Sequence, residues 1–405
     1  METLERLSIL SQATLYESND GHPRPIADRR AGGYTAVQER ARFGAPQPKV
    51  RPVEIDGRRL MVHMAATAGG RRTPLLKAML TSACERDCYY CPFRAGRDFR
   101  RVTLQPDELA QAFHKTYLLG LADGLFLSTG IFSGGCYTQD KLLDAAAILR
   151  HKIGYQGYLH LKIMPGAERG QVQRAMQLAD RVSVNLEAPN QDRLQRLAPH
   201  KHFLHELLRP LQWIDEIRQH DPVGRAWKNR WPSSATQFVV GAAGESDLEI
   251  LTTSAYLLQT AGLRRAYFEA FDPVPDTPLE SHPPENPLRQ QRLYEASFLL
   301  RDYAFDLEDL PFNSAGHLPL DRDPKTAWAD QYLRFAPLEL NTAERQSLMR
   351  IPGIGPKSAE AILQVRRHHR IRDVSQLRRL GIRVSTASPY ILLDSKAPYQ
   401  QLPLL

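Results

Sequence analysis

The stretch TSACERDCYYCPFRAG, residues 81–96, contains Cys84, Cys88 and Cys91, three of the four cysteines in a chain of 405 residues. Thiols this close together can form a disulfide, hold zinc, run a redox cycle or ligate an iron–sulfur cluster. Zinc ribbons and fingers use two CxxC or CxxH pairs, and only one such pair is present here. A redox CxxC leaves Cys84 without a role. Three thiolates spaced CxxxCxxC on a loop after a strand can wrap one face of a four-iron cubane, leaving the remaining iron open for binding and chemistry. Compartment bears on the same choice. The N-terminus METLERLSILSQATLY lacks a basic region followed by a continuous apolar one, and no apolar run reaches the roughly 18–20 residues of a membrane span. The expectation is a cytoplasmic protein with no membrane partner, where thiols stay reduced and bind metal more readily than they pair.

A second stretch with chemistry in its spacing is LMRIPGIGPKSAEAILQVRR, residues 348–367. It reads as a helix, a tight hairpin and a second helix opened by Pro356. Gly353, Ile354 and Gly355 make the turn, and its glycines let the backbone approach a ligand closely. The first amides of the second helix carry partial positive charge, Lys357 adds a full one beside Ser358, and Arg366 and Arg367 follow. Such a turn cradles a phosphate. The charge agrees, because residues 345–383 hold ten Lys or Arg against two acidic residues in a chain of net charge +8. That imbalance suggests a polyanionic partner. A solvated helical face is the competing reading of the charge, and a plain αα-hairpin that of the turn.

Holding these residues in place takes a scaffold. At 42% hydrophobic and 24% charged residues, the chain can bury a core and build one large domain and one smaller one. Residues 1–16 read as a short helix with Leu4, Leu7 and Leu10 at three-residue spacing, and 17 to about 52 as an extended or mobile arm. From about residue 72, short apolar strands alternate with amphipathic helices, beginning LLKAMLTS, PDELAQAFHKTYLLG, GLFLSTG and ending at RRAYFEAFDPVP. Six strand candidates separated by helices predict parallel βα units, which right-handed crossovers curl into a full or partial barrel. No GxGxxG follows the first strand, which disfavours a dinucleotide fold. The expected fold is α/β, a partial (β/α)6 TIM-like barrel with a small C-terminal all-α module. The expected parts are 1–60, helix and arm; 61–275, barrel; 276–336, a proline-rich connection and helix that supplies part of a lid; and 337–405, the helical module.

CERDCYYC, with Tyr90 just before the last cysteine, resembles the CxxxCΦxC signature of the radical SAM enzymes. The resemblance implies a [4Fe-4S] cluster on Cys84, Cys88 and Cys91, with S-adenosylmethionine on the remaining iron. It implies one-electron cleavage to a 5′-deoxyadenosyl radical, fed by an external donor such as flavodoxin or ferredoxin. Tyr90 would pack against the adenine side. GLFLSTGIFSGG places Gly134 and Gly135 where relatives carry a GGE-type segment for the SAM amino group, with Cys136 standing where the acid often lies. Asn185 and Glu187, in NLE, are similar to the NLD of biotin-synthase-like members. QFVVGAAGES resembles the sixth-strand GxxGE turn that holds the adenine, through Gly241 and Gly244. Ordinary roles compete: a loop cap for Asn185, tight turns for the glycines, and a small buried residue for Cys136. His160 and Lys162 are candidates to face the pocket, and no catalytic acid or base is singled out.

The PGIG stretch resembles the helix-hairpin-helix motif, which grips the DNA backbone without reading its sequence, and LRRLGIRVSTASPYIL, residues 377–392, resembles a degenerate second copy. Arg94, Arg97, Arg100 and Arg101 would extend a basic track or simply be solvated. Together the two motifs are similar to the DNA modification or repair radical SAM proteins, commonly associated with a uracil-DNA-glycosylase-like partner. That resemblance spans about residues 60–392 and implies a radical enzyme acting on DNA. RNA as substrate is one alternative. Another is a DNA-binding repair factor with a structural cluster, for which Asp373 lies about where a catalytic acid would follow the hairpin.

Overall fold

The computed structural model describes residues 1–17, 50–66 and 72–398. The expected arm lies for the most part outside the described residues. The chain forms two compact units, residues 1–245 with 256–287, and residues 246–255 with 288–405.

The first unit is built on an eight-stranded sheet in sequential order. Strands β1 (Val50–Ile55) and β2 (Arg58–Ala66) form an antiparallel hairpin, and β2 pairs antiparallel with β3 (Arg72–Met79). The hairpin turns at Asp56 and Gly57, both at positive φ (49° and 70°). Asp-Gly between alternating apolar residues is a strong two-residue hairpin signal, because both central positions need left-handed backbone. The sheet therefore starts earlier than the alternation read from residue 72 onward. From β3 the strands run parallel in order: β4 (Gly124–Ser128), β5 (Tyr158–Lys162), β6 (Arg181–Ser183), β7 (Ser233–Val240) and β8 (Arg265–Ala270). This is the six-stranded parallel series expected of a partial barrel.

Helices connect these strands: α2 (Pro106–Leu118), α3 (Gly135–Ala147), α4 (Arg169–Leu178), α5 (Gln191–Leu197), α6 (Arg209–His220) and α7 (Asp247–Thr260). Each exists for a local reason. Pro106 opens α2 behind a Gln105–Glu108 capping box, and its buried Leu109, Ala110 and Phe113 fall at helical spacing on one face. N-terminal α1 (Thr3–Ala13) buries Leu7 and Leu10 completely and packs on β2 and β3.

The second unit is helical. It contains α8 (Pro287–Asp302), α9 (Pro324–Tyr332), α10 (Arg345–Arg350), α11 (Pro356–Arg366), α12 (Val374–Arg379) and α13 (Val384–Ala387), with β9 (Leu338–Glu339) paired parallel to β10 (Ile391–Leu392). Residues 288–336 cluster with the terminal helices. Arg350 of α10 explains part of this. Its guanidinium makes hydrogen bonds of 2.7 and 2.6 Å to both oxygens of Asp309 and stacks on Phe305 and Trp328, 4.7 and 4.9 Å from the ring centroids. Among the described residues no helix is long and apolar enough to cross a membrane.

Candidate functional site

The three clustered cysteines line one cleft of about 830 Å³, counting its open mouth, at the C-terminal ends of the parallel strands. This end of a parallel barrel collects chemistry because the βα loops converge there. The cysteine loop follows β3 directly and is held from both sides. Glu85 N–H donates to the Ile131 carbonyl at 2.7 Å, and Tyr89 N–H to the Leu197 carbonyl at 2.7 Å. Arg86 donates to Glu206 at 2.6 Å and to the His200 carbonyl at 3.0 Å. After β4, Gly130 lets the next loop press against this one, since a Cβ there would sit 2.1 Å from the Ala83 carbonyl oxygen.

Arg101 belongs to this loop rather than to a basic track. Its two terminal nitrogens donate to the carbonyls of Ser82, Phe93, Arg94 and Arg97 at 3.1, 3.0, 2.8 and 3.3 Å, and the guanidinium lies 4.4 Å from the Phe99 ring centroid. Arg97 likewise serves backbone, donating to the carbonyls of Pro92 and Pro275.

Amides also aim at the thiols. Ile131 N–H donates to Cys84 Sγ and Phe93 N–H to Cys91 Sγ, each at 3.4 Å. Such contacts favour thiolate. Burial pushes the Cys88 and Cys91 thiols up, and the Lys201 ammonium works against that shift. Among the described residues, no three His, Cys, Asp or Glu side chains converge on one point that would hold a single metal ion. A polynuclear iron–sulfur centre makes a different demand from a single ion, since each of its irons takes its own thiolate.

Tyr90, Lys162, Asn185, Glu187 and Gln237 share this cleft. Past the end of β6 the chain stays beside β7, with Glu187 N–H donating to the Gln237 carbonyl at 2.9 Å. Asn185 donates its amide to Gln237 at 3.2 Å. Glu187 takes a left-handed backbone, φ 66°, an uncommon state for a non-glycine residue and one that gathers at functional sites. Its side chain is buried and accepts from the Tyr90 hydroxyl. Burial pushes the Glu187 carboxyl up, but the ammonium groups of Lys201 and Lys162 and the Tyr90 hydroxyl outweigh it and hold the group below the usual carboxylate range.

Lys201 was invisible to motif reading. It is 6% exposed, lies 3.3 Å from Glu187 Oε1, bonds toward Cys88 and lines the cleft. Burial works against its charge, yet Cys88, Glu187 and Cys91 together keep its ammonium protonated more firmly than usual.

Other expected residues fall elsewhere. Gly134, Gly135, Gly241 and Gly244 do not line the cleft. The Gly134 amide is taken by Glu85 at 3.1 Å, so an acid of the cysteine loop itself meets this turn. Gly135 packs where a Cβ would meet the Pro165 carbonyl oxygen at 2.0 Å. The turn after β7 is organised by Glu245, which accepts from the amides of Gly241 and Ala243 at 2.5 and 3.1 Å. Glu285 of the proline-rich segment covers Gly241, where a Cβ would meet its Oε2 at 2.1 Å. Cys136 is exposed in the first turn of α3, neither in the cleft nor buried. His160 lies buried outside the cleft lining, its Nε2 2.9 Å from Ser183 Oγ and its ring 4.6 Å from that of Phe126.

In the second unit, α10, the turn 351–355 and α11 form the expected hairpin. Ile351 and Ile354 are fully buried, and their burial fixes the turn from inside. Gly353 has φ 81° and its missing Cβ faces the Arg383 carbonyl at 3.2 Å, so glycine is needed for conformation and for packing. The Ile354 amide donates to Ile351, and its carbonyl accepts from Lys325 Nζ at 2.6 Å. Both groups are spoken for, and the Lys357 and Ser358 amides in the first turn of α11 are among those that have no intrahelical acceptor. Lys357 and Arg367 are exposed. Arg366 is not available in the same way, because Nη1 donates to the carbonyls of Leu340 and Ala343 at 3.0 and 2.6 Å. The second turn repeats the device with Gly381 at φ 74°. Asp373 caps α12, accepting from the Ser375 and Gln376 amides at 2.8 and 3.2 Å.

No curated protein matches the sequence. Among solved structures, the chain is similar to the FeFe-hydrogenase maturase HydG from Carboxydothermus hydrogenoformans, at 16% identity over 56% of this chain and 51% of that one, TM-score 0.43. It is similar to methylornithine synthase (PylB) at 14% over 56% and 62%, TM-score 0.44. It is also similar to the radical S-adenosylmethionine methyltransferase TsrM from Kitasatospora setae, at 10% over 69% and 45%, TM-score 0.38. The match takes in about half the length of the first of these, 51%. In sequence, residues 335–381 match the helix-hairpin-helix motif family.

Proposed function

We propose that the chain is a radical SAM enzyme that modifies or repairs nucleic acid, most directly DNA. One observation carries this reading: Cys84, Cys88 and Cys91 line the same strand-end cleft as Tyr90, Asn185, Glu187 and Lys201. When bound, a [4Fe-4S] cluster and S-adenosylmethionine supply reductive cleavage and a hydrogen-abstracting radical. The protein's part is position and exclusion of water. The three thiolates would hold the cluster, the buried ammonium of Lys201 would offer its charge to an amino-acid carboxylate, and Tyr90 and Asn185 would offer a flat face and an amide to a nucleoside. Glu187, fixed by Lys201 and Tyr90, offers a charged acceptor for hydroxyl or amino protons. Gly134, Gly135, Gly241 and Gly244 shape the surrounding turns, and the segment that places Glu285 on Gly241 covers one of them. The electron comes from an external donor of the flavodoxin or ferredoxin kind. A glycosylase-like partner is implied by the family resemblance alone.

The helix-hairpin-helix unit supplies the polymer contact through Gly355, Lys357, Ser358 and Arg367. Phosphate contacts do not distinguish sugars, so competition between matched DNA and RNA decides the polymer. For the repair-factor alternative, Asp373 is the acid to test, and it caps α12. Anaerobic reconstitution is expected to give about four irons per chain, and dithionite with S-adenosylmethionine to release 5′-deoxyadenosine. Protein with an intact cluster that releases none refutes the enzyme reading.

A further inference from the structure

Among the described residues, Phe335 is the most exposed large hydrophobic side chain, at 87%. It sits in the loop between α9 and β9, where Arg334 and Ala336 are also exposed. This loop is fastened at both ends. Leu333 is buried and, like Arg334, donates its amide to the Ala329 carbonyl, and three residues beyond Phe335 the chain enters β9, paired with β10. The ring is therefore presented by a backbone held on both sides, which confines the ordering cost of binding largely to the side chain.

Its surroundings say what kind of ligand. The match to the helix-hairpin-helix family begins at Phe335 itself. Helix α9 starts against the hairpin turn, through Lys325 Nζ on the Ile354 carbonyl at 2.6 Å, and ends at Tyr332, where the loop begins. At 1.5 Å per helical residue, α9 carries the chain on the order of 10 Å along its axis between Lys325 and Tyr332, about three nucleotide steps, before the loop that holds Phe335. The same unit exposes Lys357, Arg367, Arg378 and Arg383, which form no ion pair among the described residues. Unneutralised cations that suit phosphates, with one bare aromatic ring a few nucleotides away, combine the two halves of single-strand recognition.

We propose that Phe335 is a base-stacking residue, which receives an unpaired nucleobase of a strand whose phosphates lie on the hairpin. The inference rests on the nucleic-acid reading above and adds to it a preference for unstacked bases. A paired base hides both faces in the duplex, so only a single strand, a mismatch or an extruded base can offer a face to the ring.

The test uses the full chain and oligonucleotides of one sequence in three forms: single strand, matched duplex, and duplex with one unpaired 2-aminopurine. F335A is expected to weaken binding to the first and third about 5- to 150-fold, the equivalent of 1–3 kcal/mol per stacked base, and to leave the matched duplex within about twofold. Quenching of 2-aminopurine should disappear in F335A and return in F335W, while the salt slope stays unchanged. Equal affinity of F335A and the unaltered chain for single strand overturns the proposal, as does an equal loss on all three forms. F335A that changes only sedimentation assigns the ring to a protein contact and also overturns it. If the unaltered chain binds no nucleic acid, and Lys357→Ala changes nothing, the underlying reading fails as well.

Discussion

Arg101→Ala removes the one guanidinium around which the cysteine loop is wound. Its two terminal nitrogens serve four carbonyls at 2.8–3.3 Å. Charge-assisted hydrogen bonds contribute about 1.5–3 kcal/mol each. Counting one strong bond per nitrogen, because each is shared, gives about 3 kcal/mol, and the Phe99 contact adds about 0.5 kcal/mol. Opening of the loop should thus become roughly 300 times easier. Hydrogen exchange measures this directly. The Ser82 and Ala95 amides, bonded to the Val102 and Arg86 carbonyls at 2.9 and 2.8 Å, should lose about two and a half decades of protection. The Phe271 amide, bonded to Val240 beyond the end of β8, should keep its own. Arg101→Lys should restore little, since one ammonium cannot reach four carbonyls in a planar fork. Unchanged protection at Ser82, or an equal loss at Phe271, would refute the assignment of Arg101 to this loop.

Lys201→Met should cost about 3–5 kcal/mol in urea unfolding by removing the ion-pair partner of the buried Glu187, and the Lys201→Met, Glu187→Leu double variant should recover most of that. Burial pushes the Lys325 ammonium down to about 7, against roughly 10.4 when unfolded, so between these values the unfolded chain binds the extra proton and stability rises with pH. Urea midpoints of the second unit should climb from pH 7 to 9.5, and Lys325→Met should flatten the climb. Below pH 7 both states are protonated and the difference stays constant. Lys357→Ala should lower the salt slope of nucleic-acid binding by about 0.9. Arg366→Ala should leave that slope alone and lower Tm instead, because its bonds go to Leu340 and Ala343.

Much of the barrel was legible because each parallel strand is a short apolar run flanked by helices of a different period. The β1–β2 hairpin was not, although Asp56-Gly57 announces it, because its strands mix Arg, Pro and Glu with apolar residues. The cysteines were legible as a local spacing, and Tyr90, Asn185, Glu187 and Lys162 do reach their cleft. Lys201 was beyond reach: it lies 14 residues from Glu187 with no pattern joining them, and only the fold brings the two together. Arg101 and Arg366 were read by charge, whereas each spends its donors on backbone carbonyls. Exposure of Cys136 likewise depends on where α3 begins, a matter of packing around Gly135.

The Lys325 ammonium on the Ile354 carbonyl carries a practical lesson about portability. Sequence similarity starts the motif at residue 335, but one of the fastenings of its turn comes from upstream, as does the Asp309 carboxylate that Arg350 grips. A piece excised at the motif boundary would lose both moorings, and the compact unit that keeps them runs from Leu288 onward together with residues 246–255.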